Sequence, residues 1–331
     1  MVAAVKLPLT DIDFLEHPVD GPSVKGKIEI KIKILHQGEV NRWVFLEDCV
    51  SVITQHRARY MPQNPFIIAT KSPSVDVFIF DMSKHPSVPS LKKGFCPEHR
   101  CIGHTREGYG LSWNPHSSGQ LLSGSDDAKI CLWDINEAGA SVPCVTSWNG
   151  HLDVIEDVAW HQHCPNIFGS VGDDRCLFLW DTRSKNTRAP IIAVKHAHGA
   201  DINALAFSAQ NEYLSISGSA DTTVKLWDLR NTSAALYTLR GHQKEVYQLS
   251  WAPFDNSILA SCGADRRVNV WDLSKIGRNS FADTDSPAEL LFIHGGHTNK
   301  VSDFSWNPTD PWVVSSVSED NILQIWKPAR H

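Results

Sequence analysis

Short apolar stretches that end in tryptophan recur five times along the chain, and each predicts a β-strand. They read KICLWD, CLFLWD, TVKLWD, RVNVWD and ILQIW, and an aspartate follows the tryptophan in four of them. Polar residues keep the same period, because a histidine lies 29, a serine 10 and an aspartate 6 residues before each tryptophan. The five sets are His104, Ser123, Asp127 and Trp133; His151, Ser170, Asp174 and Trp180; His198, Ser217, Asp221 and Trp227; His242, Ser261, Asp265 and Trp271; and His297, Ser316, Asp320 and Trp326.

The repeat measures 44 to 55 residues from one histidine to the next, the size of a four-stranded propeller blade. The chain therefore resembles the WD-repeat propellers, and we expect an all-β propeller fold. Serine, histidine and aspartate together could also indicate a hydrolase triad, but an enzyme needs one such set, and this one recurs in every copy with a tryptophan attached. We interpret it as a blade lock, a buried hydrogen-bond chain that links the aspartate turn to the tryptophan indole.

We expect residues 1–331 to form one repeat domain rather than several domains. Residues 1–35 are interpreted as a remnant of the first blade and a connector, and 36–81 as a degenerate repeat. In that repeat Thr70, Ser74 and Phe80 occupy the serine, aspartate and tryptophan positions. The intact repeat cores are predicted at 104–134, 151–181, 198–228, 242–272 and 297–326.

The degenerate repeat carries an apparent insertion. The interval from His36 to Phe80 is 15 residues longer than the usual 29, and removal of Trp43 to Arg57 restores both the spacing and a plausible inner strand. A long bulge or surface loop is one explanation, but the valine and isoleucine content of the segment is not typical of a loop. Our hypothesis is a splicing or gene-model insertion, whose deletion (43–57) raises the melting temperature.

Composition narrows the classes of function. The formal net charge of −6 argues against nucleic-acid binding, which favours clustered Lys and Arg. There is no apolar run of about 18 residues and no basic-apolar leader, so we expect an intracellular protein that does not insert into a membrane. The eight cysteines include no C-x-x-C pair, and Cys131, Cys176 and Cys262 fall in or beside predicted strands. We expect buried reduced thiols, no metal site and no cofactor.

Acidic residues follow the repeat histidines. In WD propellers the histidine loop and the aspartate turn project on the same face, so this resemblance places them around one rim of the central channel. A negative rim suits a Lys- or Arg-rich peptide, whereas a solvated polar rim is the alternative explanation. The predicted rim residues, with two tyrosines that could stack on a guanidinium, are Glu107, Tyr109, Glu156, Asp201, Glu245, Tyr247 and Glu319.

The likeness to one WD-repeat family extends over nearly the whole chain except Trp43 to Arg57. Stretches such as ARYMPQNPFIIATKSPSVDVFIFD, DDRCLFLWDTRSKNT and ELLFIHGGHTNKVSDFSWNPTDPWV resemble the retinoblastoma-binding, histone-binding subunits, which include the small subunit of chromatin assembly factor and its plant MSI-like relatives. The resemblance implies a seven-bladed, non-catalytic nuclear scaffold, with some cytoplasmic protein, that holds histones three and four for chromatin assembly, deacetylase, remodelling or Polycomb complexes. It also implies that the acidic rim binds the histone-three tail or basic peptides of partner subunits.

The same resemblance implies a second site on the side of the propeller for the first helix of histone four. Its acidic loop corresponds to FADTDSPAELLF, where Asp283, Asp285 and Glu289 supply charge and Leu290 and Phe292 build the adjoining strand. From composition alone this loop would be a disordered acidic connector. The family's N-terminal helix and most of its first blade are absent, so we expect this site to be half built.

Three explanations fit the short N-terminal part: a truncated gene model or fragment, which we favour, a gapped seven-bladed ring, or six-bladed closure by a strand around Lys27 to Ile34. A different class of function is a substrate receptor of a cullin-type ubiquitin ligase. Its support is the W-D-x-R signature, in which Arg183 and Arg230 could dock on the ligase adaptor. The ordinary interpretation of both arginines is that they are solvent-exposed strand-end residues.

Overall fold

The computed structural model describes residues 2–6, 29–34, 42–46, 49–53, 57–86, 95–136, 139–277 and 286–328. Regular structure in these ranges consists of β-strands and two three-residue 3-10 turns, Met82–Lys84 and Leu273–Lys275. No helix in them is long and apolar enough to cross a membrane. The predicted all-β propeller is confirmed.

Six sheets follow the repeats and are called blades 1 to 6. Blade 1 contains β5 (Arg57–Met61), β6 (Asn64–Lys71), β7 (Val77–Asp81) and β8 (His99–Ile102), and blade 2 contains β9 (Leu111–Trp113), β10 (Gln120–Gly124), β11 (Ile130–Asp134) and β13 (Thr146–Trp148). Between β11 and β13 the chain adds β12 (Ser141–Pro143) in parallel to the outer edge of β8, which ties blade 2 to blade 1.

Blades 3 to 5 are four-stranded antiparallel meanders, and blade 6 has three strands among the described residues. Blade 3 contains β14 (Ile155–Trp160), β15 (Ile167–Gly172), β16 (Leu177–Asp181) and β17 (Ile192–Val194); blade 4 contains β18 (Ile202–Phe207), β19 (Leu214–Ser219), β20 (Thr223–Asp228) and β21 (Tyr237–Arg240); blade 5 contains β22 (Val246–Trp251), β23 (Ile258–Gly263), β24 (Val268–Asp272) and β25 (Leu290–His294); and blade 6 contains β26 (Val301–Trp306), β27 (Val314–Ser318) and β28 (Leu323–Trp326).

A seventh sheet is built from the N-terminal strands β1 (Val2–Lys6), β2 (Glu29–Ile34), β3 (Arg42–Leu46) and β4 (Cys49–Ile53), in the order β2-β1-β4-β3. Strand β3 packs against β26 and β27 on one side and β5 on the other, so this sheet lies between blade 6 and blade 1. The segment interpreted as an insertion therefore supplies β3 and β4, and the strand at Glu29–Ile34 forms the outer edge. The predicted effect of deleting 43–57 stays a prediction.

The innermost strands of successive blades line the axis, and apolar clusters fill the spaces between neighbouring blades. In each of β14, β18, β22 and β26 four of the six residues are buried, and they lie on both faces of the strand. Trp133 belongs to the cluster between blades 1 and 2, and Trp160 and Trp180 belong to the one between blades 2 and 3. Because each blade packs on two neighbours, the stability of the ring depends on these interfaces.

Bulges shape the axial end of the inner strands. The pairing of β14, β18, β22 and β26 with its neighbour shifts by one residue near the start of each strand. The extra residues are Glu156, Asn203, Tyr247 and Ser302. A bulge changes the direction of the extra side chain. Glu156 and Tyr247 are therefore rim residues that lie in strand bulges, whereas Glu107, Asp201, Glu245 and Glu319 lie in loops and turns.

Candidate protein-binding site

The lock residues are joined by hydrogen bonds in blades 3, 4 and 5. In blade 3, His151 Nδ1 lies 2.8 Å from Asp174 Oδ2, His151 Nε2 lies 2.6 Å from Ser170 Oγ, and Trp180 Nε1 donates to Ser170 Oγ at 2.8 Å. The indole N–H therefore donates to the serine, the serine hydroxyl donates to Nε2, and Nδ1–H donates to the carboxylate. Blades 4 and 5 repeat this chain through His198 and His242.

The lock also fixes the turn that carries its aspartate. Asp174 Oδ1 accepts the N–H of Cys176 at 3.0 Å, while Arg175 between them adopts φ 59°, in the left-handed region. Burial alone would raise the pKa of Asp174, but the hydrogen bond from His151 and the main-chain donors outweigh it and lower the pKa. Ser170 has no exposed surface, so its hydroxyl is inaccessible to a substrate. This geometry is structural and does not resemble an accessible hydrolase triad.

The chain is weaker in blade 6, where His297 Nε2 lies 2.7 Å from Ser316 Oγ and Trp326 Nε1 donates to the same oxygen at 3.0 Å. His297 Nδ1 lies 3.8 Å from Asp320, too far for a hydrogen bond, and has no other partner. Main-chain donors, Thr298 among them, still outweigh burial and hold the pKa of Asp320 at about 2. The turn of blade 6 is thus formed without the histidine bond.

Blade 2 departs from the pattern because a lysine of blade 1 enters its lock. Lys71 Nζ donates to Ser123 Oγ at 2.6 Å and also to the carbonyl of Gly124. Trp133 Nε1 then donates to the carbonyl of Ile102 at 3.0 Å instead of to the serine. Burial lowers the pKa of Lys71 to about 7, even though Asp127 nearby favours the charged form. The repeat spacing does not point to Lys71, because its partner Ser123 belongs to the neighbouring blade.

The three cysteines that were predicted in or beside strands are buried. Cys131 and Cys262 have almost no exposed surface and Cys176 is 9% exposed. The described cysteines are free thiols. A hydrogen bond from the neighbouring Cys131 lowers the pKa of Cys144 to about 7. Among the residues that the structure describes, no three His, Cys, Asp or Glu side chains converge as metal ligands do.

The predicted rim residues occupy three equivalent positions of the blades. A main-chain hydrogen bond joins the histidine loop to the aspartate turn in each repeat: Asp126 N–H to Glu107 O, Asp173 to Val154, Ala220 to Asp201, Ala264 to Glu245 and Glu319 to Lys300. Glu107, Asp201 and Glu245 are therefore equivalent, and Glu319 corresponds to Asp126 and Asp173. Tyr109, Glu156 and Tyr247 come two residues after the loop position. Asp201, Glu245 and Glu319 are exposed, and the other four are half-buried.

One part of the rim is strongly negative. Asp173 is half-buried, and this burial together with the charges of Asp201, Asp153 and Asp126 raises its pKa to about 6. We call these four residues the acidic arc. Their carboxylates come from the histidine loops and aspartate turns of blades 2, 3 and 4. Burial is the larger cause of this rise, and the neighbouring carboxylates add to it; together the four acids create a local field that attracts cations.

The opposite part of the rim contains its own cation. Lys300 occupies the position that Glu107, Asp201 and Glu245 hold in other blades, and its Nζ lies 6.0 Å from the centre of the Tyr247 ring. Tyr247 raises the pKa of Lys300, and Glu319 and Glu245 add to the effect. Lys300 thus lies near three of the predicted binding residues and offsets part of the charge of Glu245 and Glu319.

Comparison with protein families agrees with this geometry. The family described as WD domain, G-beta repeat matches residues 95–134 and 288–327, and the family described as EIPR1 beta-propeller matches residues 137–271. The chain is a WD-repeat β-propeller. Such propellers are typically non-catalytic scaffolds that bind other proteins.

The side site of this WD-repeat propeller differs from its prediction at one residue. Glu289 is 5% exposed, and its Oε1 accepts the hydroxyl proton of Tyr237 at 3.0 Å. Its carboxylate is therefore not available to a basic helix, contrary to the expectation, because it packs at the foot of β25 against blade 4. Leu290 and Phe292 lie in β25 and are half-buried. Asp283 and Asp285 lie outside the described residues.

The two W-D-x-R arginines make local ion pairs. Arg183 Nη2 lies 2.7 Å from Asp181 Oδ2, and Arg230 Nη2 lies 2.7 Å from Asp228 Oδ2. Both side chains are more than 60% exposed, so solvent screens these pairs and they add little to stability. Each guanidinium is held by the aspartate of its own motif, as expected of an exposed strand-end residue, and adaptor docking stays a prediction.

The acidic positions predicted from the histidine spacing leave out part of the charge of the rim. Asp126 and Asp173 directly precede the lock aspartates in the doublets SGSDDAKI and SVGDDRCL. The signal was present, because Glu319 holds the same position and was included. Lys300 follows His297 by three residues, as Glu107 follows His104. The same spacing rule, applied to basic residues, would have located it.

Proposed function

We propose that this WD-repeat propeller is a non-catalytic scaffold whose acidic rim binds a Lys- and Arg-rich segment, the N-terminal tail of histone three. The observation that supports the proposal is the acidic arc, where the pKa of Asp173 is raised to about 6 by burial and by neighbouring carboxylates. A bound cation reduces the repulsion among these carboxylates, and their combined field attracts a basic segment from a distance. The sequence resemblance supplies the identity of the ligand.

The protein is proposed to act inside larger chromatin complexes. The resemblance supports a subunit of chromatin assembly, remodelling, deacetylase or Polycomb complexes, located in the nucleus with some cytoplasmic protein. Histone four would bind at the side, close to β25. The buried position of Glu289 makes this second site the weaker part of the proposal.

Reversing two charges of the acidic arc tests the rim. We expect Asp153→Lys with Asp201→Lys to weaken binding of a fluorescent histone-three tail peptide at least tenfold, because both side chains are exposed and belong to the acidic arc. Raising the salt concentration should weaken wild-type binding as well. Fluorescence anisotropy at two salt concentrations measures both effects. Lowering the pH from 7.5 to 5.5 should also weaken binding, since Asp173 takes up a proton near pH 6.

Two matched controls separate this site from general attraction. Asp134→Lys with Glu212→Lys changes the net charge equally, but these residues lie at strand ends remote from the aspartate turns and should leave binding unchanged. Lys300→Gln should strengthen binding, because it uncovers Glu245 and Glu319. Equal loss in both double variants would contradict a rim site. Equal binding of a scrambled peptide would contradict recognition of the histone-three sequence.

A further inference from the structure

Two cysteines lie together where blade 1 meets blade 2. Cys131 belongs to β11, and Cys144 directly follows β12, the strand that pairs with the outer edge of β8. Both sulfurs lie beside Gly103, where an added Cβ would be 3.4 Å from Cys131 Sγ and 3.8 Å from Cys144 Sγ. Gly103 has φ 155°, which residues with a side chain rarely adopt. Because Gly103 carries no side chain, the two thiols can approach each other beside it.

The two thiols differ in exposure and in acidity. Cys144 is half-buried and precedes the exposed Val145, whereas Cys131 is 1% exposed. The hydrogen bond from Cys131 lowers the pKa of Cys144 to about 7, and the same bond, together with burial, raises the pKa of Cys131. A thiolate is the reactive form of cysteine. Near neutral pH this form is therefore present on the thiol that solvent can reach.

A third thiol lies near the pair but is less suited to react with it. Cys101 of β8 is fully buried, and burial raises its pKa to about 12, with a further contribution from Cys144. Cys131 differs from Cys101 because it donates a hydrogen bond to Cys144, which brings these two sulfurs into contact. The second sulfur closest to a chemical change at Cys144 is therefore that of Cys131.

We propose that Cys144 is a site of oxidation by hydrogen peroxide and that Cys131 converts the oxidised sulfur into an internal disulfide. In the first step the Cys144 sulfur bonds to one peroxide oxygen and the O–O bond breaks. The departing hydroxide takes up the proton that the thiol released, which gives a sulfenic acid and water. In the second step the Cys131 sulfur bonds to the Cys144 sulfur, the S–O bond breaks, and the hydroxyl group leaves as water with the Cys131 proton. The two thiols lose two electrons in total, and one peroxide is reduced to two waters.

The disulfide forms at the connection between two blades. It joins β11 to the chain just after β12, so the excursion that pairs with blade 1 becomes a covalently closed loop. Closing a loop in this way restricts the unfolded chain. Oxidation therefore fastens the segment that ties blade 2 to blade 1. Neither cysteine belongs to the rim.

Peptide mapping of the full chain after brief treatment with hydrogen peroxide tests the proposal. The remaining thiols are blocked with N-ethylmaleimide, the protein is digested without reductant, and mass spectrometry identifies the cross-linked peptides. We expect a disulfide between Cys131 and Cys144 that dithiothreitol removes, while Cys164, which is also half-buried, is recovered as a blocked thiol. In Cys131→Ala the oxidation of Cys144 should stop at the sulfenic acid, which dimedone captures. Cys101→Ala should form the same disulfide as the wild type.

Alkylation of Cys144 by iodoacetamide at a series of pH values gives a second measurement. The rate should reach half its maximum near pH 7 in the wild type and at a higher pH in Cys131→Ala, because that variant lacks the hydrogen bond to the thiolate. Circular dichroism establishes whether Cys131→Ala is folded. Cys144→Ala changes a half-buried position and is the milder variant; its Cys131 should stay reduced under the same treatment. No oxidation of Cys144 in the wild type, a disulfide between Cys101 and Cys144 instead, oxidation of Cys131 in Cys144→Ala, or an unchanged alkylation profile in a folded Cys131→Ala would each overturn the proposal.

Discussion

Replacing Lys71 with methionine is expected to stabilise the protein by a few kcal/mol near neutral pH. Burial lowers the pKa of this lysine from 10.5 to about 7, so the folded state holds the charged form at a cost. Methionine has a similar length and shape and no charge to desolvate. It also leaves Ser123 Oγ free to accept the Trp133 indole N–H, as the corresponding serines do in blades 3 to 5.

The stabilisation by Lys71→Met is expected to depend on pH. Between the folded pKa of about 7 and the unfolded value of 10.5, the unfolded chain carries a proton on Lys71 that the folded chain lacks. The unfolding free energy of the wild type therefore rises with pH across this window, by up to about 1.4 kcal/mol per unit. The advantage of Lys71→Met should be largest below pH 7 and should shrink as the pH rises to 9.

Urea unfolding of both proteins at pH 6.5 and pH 9 measures the effect. Lys225→Met is a suitable control, because Lys225 also lies beside a blade lock, donating to Ala197 O at 2.6 Å, but it is only half-buried. The difference between Lys225→Met and the wild type shows how much of the effect belongs to any lysine-to-methionine change beside a blade lock. If Lys71→Met is less stable than the wild type at both pH values, the hydrogen bonds of Lys71 outweigh its burial.

The blade locks show what local spacing can predict. In each intact repeat the four residues lie within 30 positions, on consecutive strands and turns of one blade. Blades 3 to 5 reproduce the full set of hydrogen bonds, so the repeated spacing suffices to assign partners such as His151, Ser170 and Trp180. Lys71 could not be assigned in this way, because it contacts Ser123 of the neighbouring blade, 52 residues away.

The rim was predictable in part for the same reason. The histidine spacing located Asp201 and Glu245 on the rim, because the main-chain bond between loop and turn recurs in each blade. Spacing alone does not predict the electrostatic field around Asp173, because that field depends on charges from several blades at once. Asp201 and Asp126 act on Asp173 across blade boundaries. The buried contact between Glu289 and Tyr237 also joins two blades, which explains why composition suggested an exposed acid there.

Ser170→Ala is expected to lower the unfolding free energy by about 2 to 4 kcal/mol, because it orphans two buried groups at once. Ser170 Oγ is the partner of both His151 Nε2 and Trp180 Nε1, at 2.6 and 2.8 Å. Each buried polar group left unpaired costs about 1 to 3 kcal/mol. Far-UV circular dichroism during urea unfolding measures the loss.

Ser215→Ala is the matched control for this prediction. Ser215 is as buried as Ser170, at 0% exposure, and lies on β19, the strand of blade 4 that corresponds to β15. Its hydroxyl has no hydrogen-bond partner, so the same serine-to-alanine change removes an unsatisfied group and should be neutral or stabilising by about 1 kcal/mol. The two substitutions delete the same atom from equally buried strands and are expected to differ in sign. Similar losses in both would mean that packing around the serine, rather than its hydrogen bonds, holds the blade together.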